Sequence, residues 1–294
     1  MTHVTSEITA QPDCWRRAVD LAGTRPEGLP VRGERVAVAG CGTSWFMAQS
    51  YAALREAAGE GETDAFAASE MSRLVGYDRL VVLSRSGTTT EVLDLLERFP
   101  RDVPSFALTA DGGTPIMDSA DECVVLDFAD ERSVVQTRFA TTALAFLRAH
   151  LGEDLSHAIE QAHEASEAPV EGAHLAAEQF SFLGRAWTVG IAQEAALKMR
   201  EAAGAWTEAY PAMEYRHGPI SITGDSRVAW MFGDAPEGLK EDVAATGGTY
   251  VAHDVDPLAD LIRVQRLAVA LAESRGLDPD NPRHLSRSVI LERP

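Results

Sequence analysis

Several short apolar runs in this chain carry no polar alternation. Residues 36–39 read V-A-V-A, 80–83 L-V-V-L, 106–109 F-A-L-T and 122–126 E-C-V-V-L. A strand with one wet face alternates polar and apolar side chains; a strand covered on both faces does not. Between these runs lie stretches with helical spacing, at 45–58, 89–98 and 137–150. Doubly buried strands separated by helices point to an α/β fold with a parallel sheet, because each return to the same end of the sheet needs a crossover.

The order recurs. Residues 186–190 (A-W-T-V-G) read as a strand before a long helix from 191. Residues 228–232 (V-A-W-M-F) read as a strand before another helix, and 248–252 lead to a further strand. First strands start at 36 and 186 and second strands at 80 and 228, intervals of 44 and 42 residues. The pattern predicts two α/β subdomains of similar topology. The expected layout is an N-terminal helical segment at 1–30, a first subdomain at 31–152, a polar helical linker at 153–173, and a second subdomain at 174–294 that ends in a tail.

Two turns stand out. Residues 84–91 read S-R-S-G-T-T-T-E, with five hydroxyls at a strand-to-helix junction. A helix cap needs one hydroxyl; Ser86 or Thr88 would serve, with Glu91 completing a capping box. Five hydroxyls, a permissive Gly87 and the charge of Arg85 point beyond capping to a bound phosphate. The earlier turn, residues 40–45, reads G-C-G-T-S-W. It starts like a dinucleotide fingerprint, but Trp45 takes the third glycine position and no acidic residue ends a clear second strand. Thr43 and Ser44 instead suit a small anion at a helix start.

An anionic ligand must be reconciled with a formal net charge of −19 over 294 residues. That charge argues against nucleic acid and anionic membranes as partners. Cys14, Cys41 and Cys123 are odd in number and widely spaced, so neither a disulfide framework nor a zinc pattern is read. Reduced thiols and an N-terminus without a basic start and apolar run fit a cytoplasmic protein. No run approaches a membrane span, and the scattered histidines predict no metal site.

In the second half, residues 191–204 read I-A-Q-E-A-A-L-K-M-R-E-A-A-G. Glu194, Lys198 and Glu201 share one helix face. Such a face is either a solvated ion-pair stripe or a site. His217 lies in A-M-E-Y-R-H-G-P, a turn. Alone it is idle; beside a helix carboxylate it forms an acid/base couple.

These motifs, in order, resemble the sugar isomerase (SIS) superfamily, specifically the isomerase half of glucosamine-6-phosphate synthase and its stand-alone deaminase, isomerase and deglycase relatives. The resemblance runs from S-E-I-T-A-Q-P at 6–12 through G-C-G-T-S, S-R-S-G-T-T and E-R-S-V-V-Q-T-R at 131–138. It continues with L-G-R at 183–185, E-A-A-L-K-M-R-E and E-Y-R-H-G-P, and closes with N-P-R-H-L-S-R-S-V at 281–289. It implies two SIS subdomains, each a five-stranded parallel sheet flanked by helices with flavodoxin-like topology. It implies a phosphate held by Ser44, Ser84, Arg85, Ser86 and Thr89, and sugar contacts from Cys41, Gly42, Thr43, Val134 and Gln136. Glu201 would move a proton between C1 and C2. His217, donated by the neighbouring subunit of a homodimer, would open the ring. Glu194 and Lys198 match nearby active-site positions.

There are two departures. The resemblance does not extend to a glutaminase half, so no glutaminase activity is expected. Arg287 stands where the synthase has a lysine; it stays protonated and forms no Schiff base, but could orient a hydroxyl or stabilise an enolate. Arg85 replaces a glutamine of the synthase and matches the deaminase and deglycase branch. The expected activity is therefore isomerisation or deamination of a hexosamine 6-phosphate without a cofactor. The alternatives are elimination of water from an N-acetylhexosamine 6-phosphate, fructosamine-6-phosphate deglycation, and a non-catalytic phosphosugar sensor.

Overall fold

A computed structural model describes residues 2–72 and 74–291. The helices are α1 (His3–Thr9), α2 (Gln11–Gly23), α3 (Thr43–Ala57), α4 (Thr90–Arg98), α5 (Ile116–Ser119), α6 (Arg138–His150), α7 (Ser156–Glu167), α8 (Gly172–Leu175), α9 (Thr188–Ala203), α10 (Leu239–Ala245) and α11 (Pro257–Ser274). Contacts divide the chain into two units whose segments interleave. An N-terminal unit is built on residues 13–131 and 138–155 with the segment from 286. A C-terminal unit is built on 132–137 and 156–285 with the first twelve residues.

The N-terminal unit holds a parallel sheet of β1 (Val36–Gly40), β2 (Thr63–Ala67), β3 (Arg79–Ser84), β4 (Ser105–Thr109) and β5 (Glu122–Val125), in the order β2-β1-β3-β4-β5. Val38 pairs with Ala65 on one side and Val81 on the other. Strands β1 and β4 are buried along their whole length, which is why they read as unbroken apolar runs. Helix α4 lays Val92, Leu95 and Leu96 against Val82, Ala107 and Ile116. Trp15 and Tyr51 are fully buried elsewhere in the unit.

The C-terminal unit holds β6 (Gln179–Gly184), β7 (Trp206–Pro211), β8 (Arg227–Met231) and β9 (Thr249–Ala252), parallel and in the order β7-β6-β8-β9. Among the described residues this sheet has four strands, not the five expected. The strand expected at 186–190 lies earlier, at Gln179–Gly184, and residues 188–190 open α9. The physical reason is Gly184. A Cβ there would lie 2.2 Å from the Thr188 carbonyl oxygen, so the chain turns immediately after it. The strand core is Phe180 and Phe182, fully buried with ring centroids 6.1 Å apart. The intervals are less equal than read: the first strands start at 36 and 179 and the second at 79 and 227, intervals of 43 and 48 residues. Strands β2 and β7 were not read at all. Both are edge strands, and T-D-A-F-A and W-T-E-A-Y-P carry the polar residues an edge tolerates.

Within the C-terminal unit, α1 is fastened by two carboxylates. Glu7, 4% exposed, accepts the backbone N–H groups of Arg132 at 2.6 Å and Ser133 at 3.4 Å, and the Ser133 hydroxyl. The Asp280 carboxylate accepts from the first N–H groups of α1, His3 at 2.8 Å and Val4 at 2.7 Å. This ties S-E-I to E-R-S, two segments far apart in the sequence. Glu7→Ala leaves buried donors unpaired and is expected to lower stability by about 1–3 kcal/mol, read as a reduced urea midpoint with unchanged slope.

Candidate active site

In the N-terminal sheet the strand order reverses between β1 and β3, the place where open parallel sheets hold ligands. Both hydroxyl-bearing turns leave the sheet there. In the β3–α4 turn Gly87 has φ +62°, and a Cβ on it would lie 2.0 Å from the Thr114 hydroxyl. Only glycine fits. The hydroxyls of Ser86 and Thr88 each lie 3.1 Å from the Ser288 hydroxyl, and that of Thr89 lies 3.5 Å away. Three side chains thus converge on one oxygen. Ser84 accepts the Gly87 N–H at 3.2 Å and lies 3.5 Å from the Thr89 hydroxyl.

The capping reading fails at this turn. The N-cap is Thr89, not Ser86 or Thr88, and its side chain makes no capping hydrogen bond. Glu91 consequently sits one position too early for a capping box. The hydroxyls face the tail instead. The tail is tied down by the Thr90 N–H to the Val289 carbonyl, 3.2 Å, and by the Leu291 N–H to the Thr90 hydroxyl, 2.9 Å.

After β1, Gly42 has φ +52° and a Cβ on Gly40 would lie 2.7 Å from the Ser44 backbone. The turn is correspondingly tight; the Ser44 N–H reaches the Cys41 carbonyl at 3.1 Å. Thr43 and Ser44 are buried at the start of α3, 4% and 5% exposed. Burial, and then the nearby charge of Glu91, push the Cys41 thiol up to about 11.

Arg85 and Arg287 have other engagements. Arg85 is buried; its guanidinium lies 3.5 Å from Glu131 and donates to the Arg287 carbonyl at 2.8 Å. Glu131 also accepts the Arg138 N–H at 2.6 Å. The Arg287 guanidinium pairs with the Asp130 carboxylate and the Glu131 carbonyl. The resemblance assigned Arg85 to phosphate; the structure shows it bracing residue 131 and the tail.

In the C-terminal unit, α9 brings Glu194, Lys198 and Glu201 onto one face. Lys198, 1% exposed, pairs with Glu201 and lies 3.5 Å from the fully buried Glu194. The solvated-stripe alternative does not hold for Glu194 and Lys198, which are buried, while the Glu201 side chain is partly exposed. Gly204, at φ +57°, ends the helix as the A-A-G signal suggests. Glu201 lines a cavity of about 410 Å³ with Arg200, Asn281, Arg283 and His284. Roles for Asn281, Arg283 and His284 were missed in the sequence, although N-P-R-H was noted as a motif; His284, at φ +65°, is a non-glycine residue in a strained conformation.

Of the remaining candidates, Gln136 has a buried Nε2 with no hydrogen-bond partner among the described residues. The Val134 N–H is taken by the Asp280 carbonyl at 3.0 Å. His217 is exposed at the end of a 3-10 turn (Glu214–His217), before Gly218. No group of three or more metal-ligating side chains occurs among the described residues. No described helix is long and apolar enough to cross a membrane.

The raised thiols give a direct test of whether Cys41 is a nucleophile. A thiol near 11 is about one part in a thousand thiolate at pH 8. Burial raises Cys14 and Cys123 as well. Iodoacetamide at pH 8 should label all three slowly in the native protein and rapidly in urea. Fast native labelling of Cys41, located by peptide mass, would contradict the assigned environment.

No family model matches the chain. It is 28% identical over 296 aligned residues to the isomerizing glutamine–fructose-6-phosphate aminotransferase of Sulfolobus acidocaldarius, an alignment covering 88% of this chain and 50% of that protein. The chain spans about half the length of the curated relatives it matches. Glucosamine-6-phosphate deaminase from Thermotoga maritima has a similar structure, with TM-score 0.82, 23% identity, and 99% and 100% of the two chains covered. So does the C-terminal domain of glucosamine-fructose-6-phosphate aminotransferase from Francisella tularensis, with TM-score 0.78, 22% identity, and 96% and 98% covered. The paired parallel sheets, the ordered motifs and these likenesses support the reading of the chain as a protein of the sugar isomerase (SIS) superfamily, whose fold it shares.

Proposed function

We propose that this protein is an enzyme acting on a hexosamine 6-phosphate, as an isomerase that releases the amino group. The observation that carries the reading is the convergence of the Ser86, Thr88 and Thr89 hydroxyls on a single oxygen, that of Ser288. A phosphate oxygen needs the same set of donors. Hydroxyls and backbone N–H groups supply it without a basic patch, which suits a chain of net charge −19. Ser44 and Ser84 add to the same end of the sheet.

The α9 triad supplies the chemistry. Glu201 takes the proton from C2 of the open-chain aldose and returns it to C1. The 2-amino group becomes an imine, and water replaces it, giving a ketose phosphate and ammonia. Lys198 holds the Glu201 carboxylate in place, and Glu194 balances the buried ammonium. His217, from a second copy in a cytoplasmic homodimer, assists ring opening, with Val134, Gln136, Cys41, Gly42 and Thr43 about the sugar. Arg287, held by Asp130, is no imine-forming nucleophile and fixes the tail.

Two comparisons test this. Glu201→Gln is expected to lower kcat by about 10²–10⁴-fold with little change in KM. Ser86→Ala combined with Thr89→Val is expected to raise KM by about 10–100-fold, since hydrogen bonds to a charged group are lost. Products from glucosamine 6-phosphate, its N-acetyl form and fructosamine 6-phosphates, read by mass, assign the leaving group. Loss of water from the N-acetyl sugar, or of an amino acid, would replace deamination as the reaction. Unchanged turnover in Glu201→Gln would remove that residue as the base.

A further inference from the structure

The C-terminal unit repeats the ligand-holding geometry of the N-terminal one at a place to which no role has been given. In its sheet the order reverses between β6 and β8. The loop after β6, G-R-A-W-T, has the backbone of G-C-G-T-S after β1. The Thr188 N–H reaches the Arg185 carbonyl at 2.9 Å, as the Ser44 N–H reaches that of Cys41 at 3.1 Å. Ala186 has φ +46° where Gly42 has +52°. Gly184, like Gly40, admits no Cβ. Ala186 keeps a left-handed conformation without glycine's freedom, so this loop shape is held by its surroundings.

The loop opens on a cleft of about 800 Å³ lined by Arg185, Trp187, Thr188, Asp234, His253 and Asp254. It lies at the amino end of α9, whereas Glu201 lies near the carboxyl end, about 20 Å along the helix. The chemistry has been redistributed relative to the first turn. Leu183 pairs with Met231, so the residues after β8 that correspond to Ser84, Arg85 and Ser86 are Gly233, Asp234 and Ala235. The hydroxyls are gone and an aspartate replaces the arginine. A guanidinium appears instead at Arg185, where the first loop has Cys41.

A second feature of the cleft is independent of the loop. Asp260, 1% exposed, accepts the Trp230 indole N–H at 2.8 Å on one oxygen and lies 2.8 Å from His253 Nδ1 with the other. Arg263 approaches the same carboxylate at 3.9 Å. Asp260 Oδ1 and His253 Nδ1 make no hydrogen bond, so the carboxylate sets a negative charge beside the imidazole rather than locking its orientation. His253 is half-buried and lines the cleft.

We infer that this cleft is a second, non-catalytic binding site for a phosphorylated sugar. The phosphate would lie on Arg185, the amino end of α9 and His253. Asp234 and Asp254, both exposed at the rim, would accept from hydroxyl or ammonium groups of the sugar. The site does not depend on the reaction proposed above, and no covalent step occurs in it.

The test is calorimetric titration of the full chain with glucosamine 6-phosphate and, separately, with inorganic phosphate. Arg185→Glu changes an exposed residue and His253→Gln a half-buried one; circular dichroism and thermal melting check that both fold. Each is expected to weaken one sugar-phosphate binding event at least tenfold while leaving the Ser86- and Thr89-dependent event intact. The Ser86→Ala, Thr89→Val variant should do the reverse. An Arg185-dependent event supports the site even if the Ser86-dependent one proves absent, so the two readings fail separately. The site is overturned if no event weakens in Arg185→Glu. It is also overturned if inorganic phosphate binds there as tightly as the sugar phosphate.

Discussion

Each sheet depends on a glycine pressed against the helix that follows its first strand. A Cβ on Gly40 or Gly184 would overlap the first turn of α3 or α9. The contact forces the chain to reverse at once, and it places the helix amino end against the strand end. Parallel strands then send every such junction to the same edge. From that follows the clustering of the two hydroxyl turns beside β1 and β3, and of the Arg185 and Asp234 loops beside β6 and β8.

The proposed phosphate site of this acidic chain is built from neutral donors. In the β3–α4 turn the side chains that converge on Ser288 are uncharged, and the nearby arginine is held by Glu131. Glu131 in turn accepts the Arg138 N–H. A comparable arrangement appears on α9, where Lys198 has one carboxylate a turn before it and another a turn after it. A buried ion group of this kind adds little net stability, but it defines where its members point. For Glu201 that definition is what its proposed role as a base would require.

Legibility followed burial. The strands that were read correctly include the central, almost wholly apolar β1, β3, β4 and β8, and also the edges β5 and β9, whose C-V-V and Y-V-A runs are apolar enough to show. The strands that escaped, β2 and β7, are edges whose polar residues hide the pattern. Residues 186–190 misled because Trp, Thr and Val favour strands, while the steric demand at Gly184 outweighs that preference. On the chemical side, the triad on α9 was visible from its spacing. His284, Arg283 and Asn281 were not assigned roles, since nothing in N-P-R-H shows that it borders the cavity of Glu201.

By itself the sequence determined the layer type, the two hydroxyl-bearing turns, the shared face of Glu194, Lys198 and Glu201, and the family resemblance. Those are local properties: periodicity, turn chemistry and the order of short motifs. The tertiary structure alone decided that Glu194 and Lys198 are buried rather than solvated, that the hydroxyls of Ser86, Thr88 and Thr89 face Ser288 rather than cap α4, and that Arg85 braces Glu131. Each of those outcomes depends on residues far apart in the chain, and a partner 46 or 202 positions away leaves no trace in local spacing.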